Sequence, residues 1–385
     1  MSSIPIALES RPEGVPASSA AADLLATDLA QLRARVDRAT AADVERALAR
    51  PRRNLDDFAA LLSPAASDRL ETIAAASRET TIRRFGRTVH LFAPLYLSNE
   101  CVSTCTYCGF SAGNDIARRT LDPEDLLAEA RELLDRGFRH LLLVAGEHAR
   151  VVSKDYLVAC VQALAPHVPQ LSVEVQVWDT DTYRRLLAAG CDGVVVYQET
   201  YDRPTYADVH LKGKKRNYDW RLSAPDRAAE AGMRRLGIAA LLGLHADWRS
   251  EALAVAAHAR ALIRRWWRAE VTISLPRLRP AAGGFEPRDP VGDRELVQLL
   301  CALRLTLPDV GLVLSTREAA SFRDAVLPLG VTHMSAGSRT EPGGYASGRG
   351  AEQQFEVADT RSPAEVAAAL RAAGYDPVWK DWERA

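Results

Sequence analysis

The sequence is poor in the features that mark secreted, membrane-bound or nucleic-acid-binding proteins. Only six cysteines occur among 385 residues, too few for a disulfide scaffold. No run of about 18 apolar residues could span a membrane, and the N-terminal segment MSSIPIALESRPEGVPASSA lacks the basic and apolar blocks of a secretory signal. A formal net charge of −1, with no long lysine or arginine run, gives no footprint for nucleic acid or anionic lipid. We therefore expect a cytoplasmic protein that binds neither a nucleic acid nor a membrane.

Apolar residues make up 47% of the chain, enough to bury the core of one large domain. From Phe92 onward, short apolar segments alternate with amphipathic helical stretches, which is the pattern of βα units around a parallel sheet. Eight apolar segments begin at Phe92, His140, Leu171, Asp192, Ile238, Val271, Val310 and Thr332. This number of units predicts an α/β fold, a (β/α)8 TIM-type barrel, with its reactive groups at the C-terminal ends of the strands.

The barrel is predicted to occupy residues 92–338, between two shorter regions. Residues 1–91 are interpreted as an N-terminal helical extension with a packing role, because their apolar residues recur at helical spacing. Residues 339–385 begin in a Gly-rich stretch and end in a helical one. We expect this C-terminal segment to close the mouth of the barrel.

Capping residues locate the starts of three helices. Asp122 before Pro123 is a typical N-terminal pair, and Ser362 with Glu365 forms a capping box in the C-terminal segment. Ser223, followed three residues later by an aspartate, predicts a third capped helix.

Three of the cysteines fall within one short segment, LSNECVSTCTYCGF, directly after the first predicted strand. Thiolates suit zinc or an iron–sulfur cluster, but a structural zinc needs four ligands, and no second Cys or His pair accompanies Cys101, Cys105 and Cys108. The other cysteines are isolated in apolar segments and are expected to be buried: Cys160, Cys191 and Cys301. On a four-iron cube three thiolates leave one iron open, as a catalytic zinc keeps an open position. The Cys-x-x-x-Cys-x-x-Cys spacing, with an aromatic residue before the last cysteine, resembles the radical S-adenosylmethionine (SAM) superfamily.

In that superfamily SAM chelates the open iron of a [4Fe-4S] cluster, and one electron cleaves SAM to methionine and a 5′-deoxyadenosyl radical. The resemblance implies that Tyr107 lies near the adenine and that Glu147, beside a glycine at the second strand end, lies near the amino group. Glu199, after the fourth strand, and Arg221 are further candidates for SAM contacts. A buried Glu199 needs a cation, which could come from Lys212, Lys214, Arg216 or Arg221. The alternatives are a packed loop aromatic and a surface salt-bridge cluster.

Arginines after the sixth and seventh strands are expected to point into the barrel mouth. Because guanidinium groups fork onto carboxylates, we predict that Arg317 and Arg277, with the hydroxyls of Ser315 and Ser335, hold an amino-acid substrate. The structural alternative for Arg317 is an ion pair with a nearby acid, Glu318 or Asp324. After the fifth strand, two residues could form a proton relay or a plain loop pair: His245 and Asp247.

Longer strings extend the resemblance from about Pro94 to Trp382. They look like the 2-iminoacetate synthase family, the tyrosine lyases of thiamine biosynthesis: LYLSNECVSTCTYCGF, LLLVAGE, VYQETYD, LLGLHADWR, SLPRLRP, STREAASFRDAVLPLG, MSAGS, PGGY and PVWKDW. Membership implies a radical SAM barrel with a C-terminal segment shared with biotin synthase, one [4Fe-4S] cluster and SAM. It implies cleavage of the Cα–Cβ bond of L-tyrosine to 2-iminoacetate (dehydroglycine) and p-cresol. It further implies a flavodoxin- or ferredoxin-type reductant, and thiazole synthase as a protein partner.

Related functions stay open from the residues alone, because no composition or single motif identifies tyrosine. The tyrosine lyase that matures [FeFe]-hydrogenase carries a cysteine-bearing C-terminal extension, whereas no cysteine follows Cys301 here, so a second cluster is disfavoured. A tryptophan lyase would use a similar amino-acid clamp. A non-catalytic iron–sulfur scaffold and a zinc-stapled barrel are the alternatives outside the lyases.

Overall fold

The computed structural model describes residues 15–346 and 351–380 of the chain. Parts of the predicted N-terminal extension and C-terminal segment, at 1–14, 347–350 and 381–385, lie outside the described residues. The strands are β1 (Thr88–Ser98), β2 (Thr104–Cys105), β3 (His140–Ala145), β4 (Gln170–Glu174), β5 (Gly193–Glu199), β6 (His210–Lys212), β7 (Arg235–Ala240), β8 (Glu270–Ser274), β9 (Gly311–Leu314), β10 (His333–Ser335) and β11 (Asp376–Val378).

Eight parallel strands close into a barrel in the order β1-β3-β4-β5-β7-β8-β9-β10. The closing contact pairs β10 with β1, with His333 opposite His90. The barrel predicted from eight apolar segments is therefore confirmed. The placing of domain boundaries after residues 91 and 338 stays a prediction.

Helices cover the outside of the barrel. They are α1 (Ala20–Leu25), α2 (Leu29–Arg38), α3 (Ala41–Ala49), α4 (Leu55–Leu61), α5 (Pro64–Ser67), α6 (Leu70–Phe85), α7 (Pro123–Asp135), α8 (Lys154–Leu164), α9 (Thr180–Ala189), α10 (Arg203–Val209), α11 (Tyr218–Leu222), α12 (Ala224–Ala231), α13 (Trp248–Arg265), α14 (Asp293–Thr306), α15 (Ala320–Val326) and α16 (Pro363–Ala372). Short 3₁₀ turns lie at Lys214–Arg216 and Leu327–Leu329. Among the described residues no helix is both long and apolar enough to cross a membrane.

The barrel strands are apolar along their length because both of their faces are buried. In β3, Leu141 and Leu143 pack into the large core between the strands and the outer helices. The alternate residues Leu142 and Val144 belong to a smaller cluster that also contains Tyr96. This inner cluster forms the wall of the cavity described below.

Two of the three predicted helix caps are confirmed. Asp122 accepts the N–H of Asp125 at the start of α7, and Ser362 forms the predicted capping box with Glu365. At Ser223 the predicted helix start is correct, because α12 begins at the next residue, but the side chain caps no N–H and instead donates to the carbonyl of Asp219.

A small antiparallel sheet, β2 with β6, was not predicted from the sequence. It pairs Cys105 with His210 and Thr104 with Lys212, and so attaches the basic segment after α10 to the cysteine-bearing loop. The C-terminal strand β11 pairs with the start of β1 and anchors the chain beyond α16 to the barrel.

Candidate active site

The cysteine-bearing loop follows β1 and is fixed by the loop after β3. The N–H of Val102 donates to the carbonyl of Glu147 at 2.9 Å, and the N–H of Gly146 donates to the carbonyl of Ser98 at 3.0 Å. A Cβ atom on Gly146 would lie 2.4 Å from the carbonyl oxygen of Glu100, so only glycine permits this approach. Gly146 therefore serves the packing of the cysteine loop itself.

The three loop cysteines are free thiols on one side of the barrel mouth. Cys105 is buried, whereas Cys101 and Cys108 are partly exposed. Cys108 packs against two apolar clusters, one containing Phe110 and the other Leu241. Burial raises the pKa of the Cys101 thiol, with a further contribution from Cys108, and burial also raises the pKa of Cys105. Binding of iron to these thiols would therefore be coupled to loss of their protons.

This donor set fits an iron–sulfur cluster with one open iron. The described residues contain no group of three His, Cys, Asp or Glu side chains that could hold a single metal ion. In a four-iron cube each thiolate binds a different iron, so the sulfurs need not converge on one point. The thiols have only weak protein partners, such as the carbonyl of Ser103 at 3.7 Å from the Cys101 Sγ. Because the described residues gather no such ligand group for a single ion, the donor set favours the cluster over the zinc alternative.

Beside the cysteines lies a chain of alternating buried charges. Lys215 Nζ is 2.7 Å from Glu199 Oε1, and Arg221 Nη1 is 2.9 Å from Glu147 Oε1. Arg221 also approaches Glu199 at 3.7 Å, and Ser103 donates to Glu147 at 3.3 Å. Burial would raise the pKa of Glu199, but Lys215 and Arg221 outweigh it and hold that pKa below its usual value. The network thus keeps the Glu199 carboxylate charged next to the cysteine loop.

Glu199 was predicted to have a cation nearby. Arg221, one of the candidates, does approach it, but the cation in direct contact is Lys215, which was not among them. Of the basic residues in KGKKRNYDWR, Lys215 turns inward, while Lys212, Lys214 and Arg216 are exposed. The 3₁₀ turn at Lys214–Arg216 makes this choice, and no pattern in the sequence distinguishes one lysine of the run from another.

Glu199 has an unusual backbone conformation, with φ of 71°, in the left-handed region that non-glycine residues rarely adopt. The residues after it are fixed by Glu251 of α13. The Glu251 carboxylate accepts from Thr200 Oγ1 at 2.5 Å and from the N–H of Tyr201 at 2.8 Å. These bonds hold the strained turn that aims Glu199 into the site.

Tyr107 is anchored through its hydroxyl. The Nδ1 of His210 donates to the carbonyl of Tyr206 at 2.8 Å, which leaves Nε2 to accept from the Tyr107 hydroxyl at 2.9 Å. Burial, followed by the charge of Lys215, lowers the pKa of His210 to about 3, so the ring is neutral. The aromatic ring of Tyr107 is thereby held beside Cys108 on the cavity wall.

A cavity with an empty volume of about 930 Å³ occupies the barrel mouth. It brings together five of the predicted site residues with the last cysteine: Tyr107, Cys108, Glu199, Ser315, Arg317 and Ser335. Ser338 also lines it, and its buried hydroxyl has no hydrogen-bond partner among the described residues.

Arg317 is available to a ligand in this cavity. Its guanidinium stacks 3.4 Å from the ring centre of Phe355. The alternative ion pairs are not formed, because Glu318 pairs with Arg277 and Asp324 pairs with Arg361.

The other predicted site residues do not line the cavity: four belong to the cysteine loop and charge network beside it (Cys101, Cys105, Glu147 and Arg221), and three lie elsewhere. Arg277 lies in a neighbouring groove, where its guanidinium is committed to Glu318 and Asp293. His245 lies 3.7 Å from Glu251, behind the Glu199 turn. Asp247 caps α13 and pairs with Arg33 at 2.5 Å. Each of these three residues therefore has protein partners outside the cavity.

Glu174, at the end of β4, also lines the cavity and was not identified from the sequence. Burial raises the pKa of its carboxyl to about 7, and repulsion from Glu199 adds to the shift, while Arg317 opposes it. The signal was a lone glutamate in the apolar segment LSVEVQVW, which alternation alone treats as an outward-facing residue.

The C-terminal segment covers the cavity, as expected from its position after the barrel. Gln354 Oε1 accepts from the hydroxyl of Tyr96 at 2.8 Å, and its amide nitrogen lies 3.7 Å from the Sγ of Cys108. The N–H of Gly109 donates to the carbonyl of Gln354 at 3.2 Å. The segment therefore contacts the cysteine loop directly.

Comparison with known proteins gives two family matches. The radical SAM superfamily matches residues 95–255, and the biotin and thiamin synthesis associated domain matches residues 274–376. The second match begins in β8, so it includes the last barrel strands as well as the C-terminal segment.

Relatives cover nearly the whole chain. The 2-iminoacetate synthase of Escherichia coli K12 is 48% identical over 92% of this chain and 94% of its own. The crystal structure of HydG, a maturase of the [FeFe]-hydrogenase, is 33% identical with a TM-score of 0.86, over 91% of this chain and 79% of that one. Methylornithine synthase shares the fold, with a TM-score of 0.71 at 20% identity over 87% of this chain and 97% of its own.

Proposed function

The chain belongs to the 2-iminoacetate synthase family of radical SAM enzymes, and we propose that it cleaves the Cα–Cβ bond of L-tyrosine. The products are 2-iminoacetate and p-cresol, which together have the composition of tyrosine, because the hydrogen atom that passes to the deoxyadenosyl radical is replaced by one electron and one proton. SAM is converted to methionine and 5′-deoxyadenosine, with electrons from an external donor. The observation that carries the proposal is one cavity that joins the Cys108 thiol to Arg317, Ser335 and Ser338.

When bound, the cluster and SAM supply the 5′-deoxyadenosyl radical that takes a hydrogen atom from the amino group of tyrosine. Cys101, Cys105 and Cys108 are the residues that would hold the cluster. We propose that SAM is bound by Tyr107 and by the charge network of Glu147, Arg221, Glu199 and Lys215, which lies beside the cysteine loop. Because its charges are paired and buried, this network can orient a polar ligand without rearranging.

Arg317 is proposed to bind the tyrosine carboxylate, with the hydroxyls of Ser315, Ser335 and Ser338 completing the clamp. The apolar wall formed by Leu142, Val144 and Val313 suits the phenol ring. Gln354 and Phe355 cover this space, which keeps water away from a reactive radical. Arg277, His245 and Asp247 are not part of the proposal, since their polar groups are engaged elsewhere.

The proposal extends to location and product use. Free cysteines and an oxygen-sensitive cluster suit the reducing cytoplasm. 2-Iminoacetate is a reactive imine that water hydrolyses, which favours transfer to a neighbouring enzyme. We propose thiazole synthase of the thiamine pathway as that partner.

The test is anaerobic reconstitution with iron, sulfide, SAM, dithionite and L-tyrosine. We expect p-cresol and 5′-deoxyadenosine in equal amounts, and neither from Cys105→Ala. A brown, cluster-loaded protein that cleaves SAM without forming p-cresol would refute the tyrosine assignment. Replacing tyrosine by tryptophan in the same assay tests the related lyase, and a colourless zinc-containing protein would refute the cluster.

A further inference from the structure

We propose that an exposed basic surface over the cysteine loop is the docking site for an acidic one-electron carrier protein. The surface consists of Val102, Leu211, Lys212, Lys214 and Arg216 and is called the basic surface below. The inference rests on the proposed function, because it names the partner that reduces the cluster held by the neighbouring cysteines.

The basic surface is attached directly to the cysteine loop. In the β2–β6 sheet, Cys105 is opposite His210 and Thr104 is opposite Lys212. Gly213, with φ of 91°, approaches so closely that a Cβ atom there would lie 2.4 Å from Ser103 Oγ. The exposed side chains of β6 are therefore next to the residues that ligate the cluster, and an electron entering there has a short path to it.

Two apolar side chains of this surface are exposed to solvent. Val102 is 46% exposed and Leu211 is 47% exposed, and they are among the few large apolar residues described as exposed. Val102 lies between Cys101 and Ser103, and Leu211 lies in the strand paired with that loop. Exposed apolar residues beside a functional group are typical of interaction sites.

The cations of the basic surface are not neutralised within the part of the chain that the structure describes. Lys212, Lys214 and Arg216 are exposed, and none has an ion pair among the residues that the structure describes. The nearby acids Glu147 and Glu199 are buried and already paired with Arg221 and Lys215. The neighbouring cation Lys154 is compensated by Asp179 at 2.5 Å. The local excess of positive charge therefore faces solvent.

An acidic protein is the occupant that fits this surface. Exposed apolar side chains with cations nearby are typical of a transient protein interface, in which charge steers the encounter. The net charge of the chain is −1, and three cations are too few to bind a nucleic acid or an anionic lipid surface. On the other sides, the cysteine loop is covered by the Gly146 loop and by Gln354. One electron passes from the reduced flavin or iron–sulfur group of the carrier to the cluster, which oxidises the carrier by one electron.

The test compares Lys212→Glu/Lys214→Glu/Arg216→Glu with a control of the same charge change, Arg131→Glu/Arg264→Glu/Arg371→Glu. The control residues are exposed on α7, α13 and α16. The probe is a recombinant acidic flavodoxin. Its Kd is measured by calorimetry at several salt concentrations, and its rate of cluster reduction is measured by stopped-flow absorbance.

We expect the first variant to bind flavodoxin at least about tenfold more weakly and to lose most of the salt dependence, while the control changes both much less. Leu211→Ser should weaken binding and keep the salt dependence. Cluster content and p-cresol formation with dithionite should be unchanged in all variants, which excludes misfolding.

Equal effects of the first variant and its control on Kd and reduction rate would overturn the inference, as would unchanged binding in both. Failure to form p-cresol with dithionite would instead refute the proposed function. The binding result is read separately, since it does not depend on the substrate.

Discussion

Glu174 is a carboxyl group inside the barrel whose charge state depends on pH near neutrality. Its pKa is raised from 4.5 to about 7, chiefly by burial. A raised carboxyl pKa means that the folded protein holds the proton more tightly than the unfolded chain. The folded state is therefore destabilised progressively as pH rises from about 4.5 to about 7, and the cost is complete above that range.

Glu174→Gln removes this cost and keeps the shape of the side chain. We expect the variant without cluster to gain up to about 2 kcal/mol of unfolding free energy at pH 8 and little at pH 5. Urea unfolding at the two pH values measures this gain. Glu352→Gln, at an exposed position, is the control and should change neither value. An equal gain at both pH values would show that Glu174 is not buried with a raised pKa.

Arg317 is the residue on which the proposed substrate clamp depends. Loss of a charge-assisted hydrogen bond pair costs about 1.5–3 kcal/mol, so Arg317→Ala should raise KM for tyrosine about 10- to 100-fold. Arg317→Lys keeps the positive charge but loses the forked pair of donors, so its KM for tyrosine should lie between those of the wild type and Arg317→Ala. SAM affinity, measured by equilibrium dialysis, should stay constant. An unchanged KM for tyrosine, or a parallel loss of SAM affinity, would contradict the clamp.

At the scale of elements, the helices and strands with a periodic pattern of apolar residues could be predicted from the sequence, and the shortest elements could not. The eight barrel strands are apolar runs of several residues, so their existence and order were predicted correctly. The β2–β6 sheet pairs only two or three residues on each side and has no periodicity to detect. Lys215 was missed for a related reason: its inward direction follows from a single 3₁₀ turn within a run of similar cations.

The C-terminal segment is held over the cavity by a buried ion pair, Arg323 with Asp359, in which both side chains are fully buried. Asp359 also accepts from Arg361 at 2.7 Å. Burial works to raise the pKa of Asp359, but Arg361 and Arg323 outweigh it, so the pKa lies below its usual value. The charged Asp359 therefore stabilises the folded state at neutral pH, and this stabilisation is lost as the pH falls and Asp359 becomes protonated.

Asp359→Asn should lower the unfolding free energy by about 3 kcal/mol, because it leaves the buried Arg323 without a counter-charge. Asp324→Asn is the control: Asp324 is 50% exposed and pairs with Arg361, so its loss should cost under about 1 kcal/mol. Urea unfolding at pH 7 gives both values. Hydrogen exchange should also show faster opening of residues 351–359 in the first variant only. Similar costs for the two changes would mean that the ion pair does not secure the segment.

At the scale of the whole molecule, the fold and the cysteines proposed as cluster ligands could be predicted from the sequence more completely than the rest of the candidate site. Cys101, Cys105 and Cys108 are fixed by local spacing, which a sequence displays directly. Arg277 and Arg317 both follow barrel strands, and only the folded chain shows that one pairs with Glu318 while the other faces the cavity. Which arginine is free depends on packing between strands that are distant in the sequence.

A buried carboxylate, Asp226, is one of the groups that join the N-terminal extension to the barrel. It accepts the backbone N–H groups of Ala20 and Ala21, at 2.7 and 3.1 Å, and the indole N–H of Trp266 at 2.7 Å. These bonds connect α1, α12 and the end of α13. Asp226 thus ties three separate parts of the chain together instead of serving the helix start that the sequence suggested.

Asp226→Ala leaves these N–H groups without their acceptor and should lower the unfolding free energy by about 3 kcal/mol or more. Asp226→Asn keeps one carbonyl oxygen and should cost less. Hydrogen exchange at residues 20–25 should accelerate in Asp226→Ala beyond the global change, because α1 loses its attachment first. Asp181→Ala, at an exposed helix start, is the control and should change stability by less than about 1 kcal/mol. If both alanine variants unfold alike, then the extension is held by its apolar packing against α13 and not by Asp226.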